Sequence, residues 1–254
     1  MARLSDRVVI VTGGAQGIGW AYCQALAREG AKVVVADIDG TLADKAAAEL
    51  KRQGNEAIAV KTDVSQTDAT EAMVKATAER FGRIDGLVNN AAIFQRPSVT
   101  RGPFEQISVE EWDRVMAVNV RGSFLCCRAV LPHMKQRKYG KIVNISSGTV
   151  IQGTPGFVQY VTSKAAVIGL TRSMAREVGN YNICVNAVAP GLTLSLDNVD
   201  EAGMKQYEVR AQSACIKRIE KPEDLVGTIV FLCSGESDFI TGQTIAVNGG
   251  SAML

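Results

Sequence analysis

Val8-Val9-Ile10-Val11-Thr12-Gly13-Gly14-Ala15-Gln16-Gly17-Ile18-Gly19 is the stretch that decides the fold. Four consecutive β-branched apolar residues read as a strand buried on both faces. Glycines at 13, 17 and 19 follow, and Ala21 to Arg28 reads as a helix closed by Gly30. A second apolar run, Val33-Val34-Val35-Ala36, ends at Asp37. Strand, glycine loop, helix and strand make a dinucleotide-binding unit. The glycines let the backbone turn tightly and approach a pyrophosphate, and the free N–H groups of the helix N-terminus attract the phosphates. The spacing is Gly-x-x-x-Gly-x-Gly. Asp37 suits a ribose diol and would repel a 2′-phosphate. Gln16 is neutral, and Ile38 and Asp39 add no cation, so the expected cofactor is NAD.

Outward from this unit the alternation continues. Helices are expected at about 41–53, 67–81, 108–134, 157–178 and 223–233, with a short one around 199–212. Strands are expected at 57–60, 84–88, 142–145, 183–188 and 244–247. Ser108 with Glu111 three residues on reads as a capping box at the start of the long helix. Strands alternating with helices predict an α/β fold, a doubly wound parallel sheet of Rossmann-like type. No linker or repeat interrupts the 254 residues, so 1–254 reads as a single domain, with a variable substrate loop at about 193–219.

Composition excludes several classes. The net charge of +2, spread over alternating signs, argues against a nucleic-acid surface. No run approaches the roughly 18 apolar residues of a membrane span, and the N-terminus has no signal-like pattern. Six cysteines without a CxxC read as reduced thiols of a cytoplasmic protein. The one histidine, His133, cannot build a histidine-dependent triad or a multi-histidine metal centre, so no metal is expected.

The proton chemistry must lie elsewhere. Ile142-Val143-Asn144-Ile145 ends in two hydroxyls, Ser146 and Ser147. A connection bearing Gly148, Gly153, Pro155 and Gly156 leads to Tyr160 and Lys164, which share a helix face. An ammonium beside a phenol favours the phenolate, so the pair can act as general acid/base without histidine.

In the order and spacing of Thr12–Gly19, Asp63-Val64, Asn89-Asn90-Ala91-Ala92, Asn119, Ser147, Tyr160-x-x-x-Lys164 and Pro190-Gly191, the chain resembles the short-chain dehydrogenase/reductase family over nearly its whole length. The resemblance selects Ser147, thirteen residues before Tyr160, over Ser146. It implies that Ser147 orients the substrate oxygen and that Tyr160 exchanges its proton. Lys164 would lower the tyrosine pKa and contact the nicotinamide ribose. Asn119 would hold a water linking Lys164 to solvent. Cofactor contacts are implied for Gly13, Gln16, Gly17, Ile18, Gly19 and Asp37; for Asp63 and Val64 beside the adenine; and for Asn90 near the ribose. Tyr160, Lys164, Pro190, Gly191, Thr193 and Ser195 complete that set. Ala92 and Ser195 depart from the commoner glycine and threonine. The loop from Phe94 to Gln106 reads as longer than usual and placed to cover the site. Pairing of the 108–134 and 157–178 helices between subunits implies a homotetramer.

The expected reaction is reversible hydride transfer between NAD and a neutral, partly hydrophobic secondary alcohol or ketone. Candidate substrate contacts, besides Ser147 and Tyr160, are Phe94, Gln95, Thr149, Gln152, Phe157 and Leu192, with Ile151, Leu194, Leu196, Met204 and Tyr207 further out. An NADP-linked ketoreductase of 3-oxoacyl type is the alternative within enzymes. A non-catalytic dinucleotide-binding protein is the alternative outside them.

Overall fold

The computed structural model describes residues 2–94, 99–195 and 199–253. Strands β1 (Val8–Thr12), β2 (Lys32–Asp37), β3 (Ala57–Lys61), β4 (Gly86–Asn89), β5 (Gly140–Ile145), β6 (Ile183–Pro190) and β7 (Thr244–Val247) form one sheet in the order β3-β2-β1-β4-β5-β6-β7. Every pairing is parallel. Helices α1 (Gly17–Arg28), α2 (Gly40–Arg52) and α3 (Thr67–Phe81) connect the first strands. Next come α4 (Val109–Met116), α5 (Ser123–Arg137), α6 (Gly148–Gln152), α7 (Val158–Val178), α8 (Glu201–Ser213) and α9 (Glu223–Cys233).

The strand period of two explains why both faces are covered. Val9 and Val11 enter a core with Tyr22 and Leu26 of α1 and Ile229 of α9. Val8 and Ile10 enter the opposite core with Met73 of α3 and Val130 and Met134 of α5. Each such aliphatic side chain contributes about 1.5–3 kcal/mol on burial. The chain order reverses at β1, which lies between β2 and β4. Doubly wound sheets open a ligand crevice at that point, beyond the strand C-termini.

The long helix forms as expected but not as regular α-helix. α4 leads into a wider π turn at Ala117–Gly122, and α5 continues from it. The run Val109–Arg137 is long and apolar enough to span a membrane by length and composition, which the sequence reading did not anticipate. Its residues Cys126, Val130 and Met134 pack against the sheet, as in the core helix of an α/β fold. Only half of the capping box forms. Ser108 Oγ accepts from Glu111 N–H at 3.1 Å. The Glu111 carboxylate instead accepts from Thr100 N–H and Oγ, at 2.8 and 2.6 Å.

That exchange anchors the loop before α4. Gln159 adds a donor to the Thr100 carbonyl at 2.9 Å, and Gly102 N–H donates to Gly156 O at 3.1 Å. Val99 is buried with Val115 and Phe157. A 3₁₀ turn follows at Phe104–Gln106. The connection after β5, expected as a turn, contains the five-residue α6, capped by Ser147. Among the described residues five cysteines are buried, Cys215 is exposed, and all six are free.

Candidate active site

The glycine loop closes on the end of β4. A Cβ at Gly19 would overlap the Gly13 carbonyl oxygen and come within 2.6 Å of Asn90 Nδ2. Gly13, at φ +61°, has Ala91 Cα 2.9 Å from where its own Cβ would stand. Asn90 Nδ2 donates to the carbonyls of Thr12 and Gly13 at 3.0 and 2.9 Å. Thr12 Oγ accepts from the Asn90 and Ala91 N–H groups at 3.1 Å. Asn90, expected beside the cofactor ribose, thus commits its amide to shaping the loop, although it also lines the cleft described below.

α1 starts at Gln16 with no side-chain cap and no acid in its first turn. Its leading N–H groups and positive dipole end therefore face outward. At the end of β2 the buried Asp37 accepts from Ala15 N–H and Asp39 N–H, both at 3.1 Å. The next turn is set by Asp63, which accepts from Ser65 N–H and Oγ at 2.9 and 2.7 Å. Val64 is buried against Gly122. A close-approach loop, an uncapped helix N-terminus and an oriented carboxylate fit a dinucleotide: pyrophosphate on the loop and α1, ribose at Asp37.

The second half of the site hangs on β5 and α7. Asn89 Nδ2 donates to Asn144 Oδ1 at 2.8 Å, and Asn144 Nδ2 to Thr171 Oγ at 2.9 Å, which ties β4, β5 and α7 together. Nearer the site, Ser146 Oγ donates to the Lys164 carbonyl, and Lys164 Nζ donates to the Ile145 carbonyl, both at 2.8 Å. These bonds separate the two serines. Ser146 is a buried brace for α7, while Ser147 caps α6 and hydrogen-bonds Tyr160.

Asn119 lies in the π turn, a feature often found at functional positions. Its Oδ1 accepts from Ile93 N–H at 2.8 Å, and its Nδ2 donates to Ile93 O and Ser163 Oγ at 3.2 and 3.0 Å. The side chain therefore pins the segment after β4 to α7.

Tyr160 stacks on Phe157 at 4.5 Å between centroids, with Phe94 tilted 6.3 Å away. Lys164 Nζ stands 5.7 Å from the Tyr160 ring centroid. Burial pushes the Tyr160 phenol up to about 12, against a hydrogen bond with Ser147 and the charge of Arg101. Burial also pulls Lys164 down to about 8. In this state the phenol is a proton donor. Desolvation is the largest cause, and the lowering causes are Ser147 and Arg101; the lowering expected from Lys164 is not among them.

A cleft of about 710 Å³ runs from Ile18 and Asn90 to the Ser147, Tyr160 and Lys164 cluster, whereas Gly13, Gln16, Gly17, Gly19, Asp37, Asp63, Val64 and Asn119 do not line it. Ile18, Asn90, Ser147, Thr149, Gln152, Phe157, Tyr160, Lys164, Leu192 and Tyr207 line it, as do Pro190, Gly191, Thr193, Ser195, Phe94 and Ala92. Ile151, Leu194 and Met204 do not line it. Gln95 and Leu196 lie outside the described residues.

Glu220 and Arg101 are among the lining residues that the sequence reading did not single out. Glu220 accepts from Thr193 Oγ at 2.7 Å and Gly191 N–H at 3.2 Å, and so holds the segment after β6. Its carboxyl is raised by burial. Arg101 lies 3.9 Å over the Phe157 ring. Nothing local marks either one, because each acts through residues far away in the chain. A separate cleft of about 740 Å³ at Arg172, Arg176 and residues 241–244 contains no acid–base pair. No metal-binding cluster occurs among the described residues.

Comparison with known proteins extends over the same ground. The family described as enoyl-(acyl carrier protein) reductase matches residues 13–252. The chain is 39% identical to a 3-oxoacyl-(acyl-carrier-protein) reductase of Synechocystis sp., covering 100% of both chains. It is 36% identical to the (2S)-[(R)-hydroxy(phenyl)methyl]succinyl-CoA dehydrogenase subunit of Thauera aromatica, over 99% of this chain and 98% of that one. Levodione reductase superposes with a TM-score of 0.90 at 34% identity over 98% of each chain. A 3-ketoacyl-(acyl-carrier-protein) reductase from Brucella melitensis, complexed with NADH, gives 0.89 at 31% identity, over 98% of this chain and 100% of that one. With matches of this extent, the chain belongs to the short-chain dehydrogenase/reductase family, whose members act with a nicotinamide dinucleotide.

Proposed function

We propose that this protein interconverts a secondary alcohol and a ketone by hydride transfer with NAD. The observation that carries the reading is the convergence of Ser147, Tyr160 and Lys164 on one cleft that also reaches the segment after β6. When bound, the nicotinamide ring supplies the hydride acceptor in oxidation and the hydride donor in reduction. Ser147 orients the substrate oxygen. In reduction Tyr160 gives its proton to that oxygen as the carbonyl carbon takes up hydride. In oxidation the phenolate receives the hydroxyl proton as the carbon loses hydride. With the dinucleotide bound, the Lys164 ammonium would hold its ribose and would favour the phenolate, and Asn119 fixes α7 beside them.

Asp37 supports NAD, because a 2′-phosphate would meet its oriented carboxylate. The second reading, an NADP-linked 3-oxoacyl reductase, draws support from the names of the relatives and from Lys61, directly across from Asp37 in register. We also infer a homotetramer, supported by apolar side chains such as Phe124 and Val158 exposed on α5 and α7.

The test is steady-state turnover over a panel of secondary alcohols and ketones with each dinucleotide. NAD-dependent turnover is expected. A clear preference for NADP overturns the reading of Asp37. NADH binding without turnover anywhere on the panel overturns the enzymatic reading.

A further inference from the structure

Thr149 lines the cleft, but its hydroxyl donates to Ser147. Ser147 has extended backbone (φ −161°, ψ 146°) and starts α6 by accepting from Thr149 N–H at 3.2 Å. Thr149 Oγ donates to the same serine oxygen at 3.0 Å. Thr149 is held at its other end too, where its carbonyl accepts from the N–H groups of Gly153 and Thr154. Its β-branched side chain has little freedom about χ1. The turn is pressed against the end of β6, since a Cβ at Gly148 would stand 3.1 Å from the Pro190 carbonyl oxygen.

A serine hydroxyl has one hydrogen and two lone pairs. The two bonds from Thr149 occupy both lone pairs, and the hydrogen of Ser147 is left for the cleft. Capping a short helix requires only the bond from the backbone N–H. The second bond, from the threonine hydroxyl, exceeds that need and fixes the direction in which the serine can act. Burial raises the Tyr160 phenol, and the hydrogen bond with Ser147 works against it, as a donor to the phenolate does. A serine with a free lone pair could instead accept from the Tyr160 O–H. That bond would hold the proton that reduction delivers to the substrate oxygen.

From this geometry we infer that Thr149 is a positioning residue for the reaction: it fills both lone pairs of Ser147 and so restricts that serine to donating a hydrogen bond toward the reacting oxygen. The inference rests on the reading of Ser147 and Tyr160 as the groups that meet that oxygen. Thr149 was expected to contact the substrate; its hydroxyl acts instead through Ser147.

The test uses Thr149→Val, which keeps the shape and the backbone N–H but removes the hydroxyl, and Thr149→Ser, which keeps the hydroxyl. Steady-state rates are measured against pH in both directions, with the preferred dinucleotide and the ketone and secondary alcohol of the panel that the wild type turns over fastest. Thr149→Val should lose about 2–10-fold in kcat for reduction, the contribution of one neutral hydrogen bond, with the dinucleotide KM unchanged. Its neutral phenol gains Ser147 as an acceptor, so the rising limb of kcat for oxidation should move to higher pH by about half a unit to one unit. Thr149→Ser should restore both. Wild-type kcat with an unmoved pH profile overturns the inference. A loss that Thr149→Ser shares, or one that leaves the pH profile in place, also overturns it, because packing alone would produce either. Should Thr149→Val fail to fold by circular dichroism, Thr149→Ala carries the same comparison. Wild-type turnover with an unaltered Thr149→Val overturns this inference and spares the oxidoreductase reading; a wild type that turns over nothing on the panel overturns both.

Discussion

Replacing Lys164 by Met is expected to remove activity and, at neutral pH, to stabilise the ligand-free protein. Lys164 is 3% exposed, and its ammonium donates one hydrogen bond, to the Ile145 carbonyl at 2.8 Å. Burial pulls its pKa from 10.5 to about 8. At about 1.4 kcal/mol for each tenfold change in proton affinity, the charged form carries a penalty of about 3 kcal/mol in the folded state. Since the folded value lies below the unfolded one, the unfolded chain holds the extra proton between about pH 8 and pH 10.5. Wild-type stability relative to the variant therefore rises with pH across that window, and the full penalty is present below it.

Methionine matches the lysine stem and removes the charge, at about 1–3 kcal/mol for the carbonyl left without its donor. The variant should therefore equal or exceed the wild type by about 0–2 kcal/mol at pH 7. The difference should then move about 3 kcal/mol in favour of the wild type by pH 10.5. Urea unfolding of both proteins from pH 7 to 10.5 measures this, and other titrating groups cancel in the comparison. A difference that stays flat with pH would refute the reasoning.

Three residues of the site give further outcomes. Glu220→Ala removes two hydrogen bonds to a carboxylate from the segment after β6. At about 1.5–3 kcal/mol each, discounted for partial exposure, the loss should weaken NADH binding by about tenfold or more in fluorescence titration. Because burial raises the Glu220 carboxyl, its charged form weighs against the fold; in wild type that contribution to stability is present at low pH and lost as pH rises through the folded pKa, whereas Glu220→Gln should lack this loss in thermal melts. Gly19→Ala forces the Gly13 carbonyl and Asn90 apart and should abolish dinucleotide binding while circular dichroism stays near native. Asn119→Ala strands the Ile93 N–H and should cost about 1–3 kcal/mol in chemical denaturation.

Much of this was legible in the sequence because it is carried by short-range patterns. The contiguous aliphatic runs at Val8–Val11 and Val33–Ala36 required strands buried on both faces. The helix at 67–81 and the helix at 223–233 form within the bounds read from the sequence. Features that depend on tertiary contact were not legible. α6 hides among Gly148, Gly153, Pro155 and Gly156 because a single Ser147 cap suffices to start so short a helix. Nothing in Ala117–Gly122 announces a π turn. The Lys164 ammonium was read from its neighbour on the helix, whereas its pKa is governed by burial. Lys205 and Arg210 were visible as cations, but only the placement of α8 brings them into the lining of the cleft while Glu201 and Glu208 fall outside it.

The proton-exchange role of Tyr160 is tested most directly by Tyr160→Phe. That variant keeps the aromatic stack on Phe157 and deletes only the hydroxyl. NADH binding should persist, and turnover should fall by about 10²–10⁴-fold across the pH range. Turnover near the wild-type rate would contradict the assignment of Tyr160 as the group that exchanges the substrate proton.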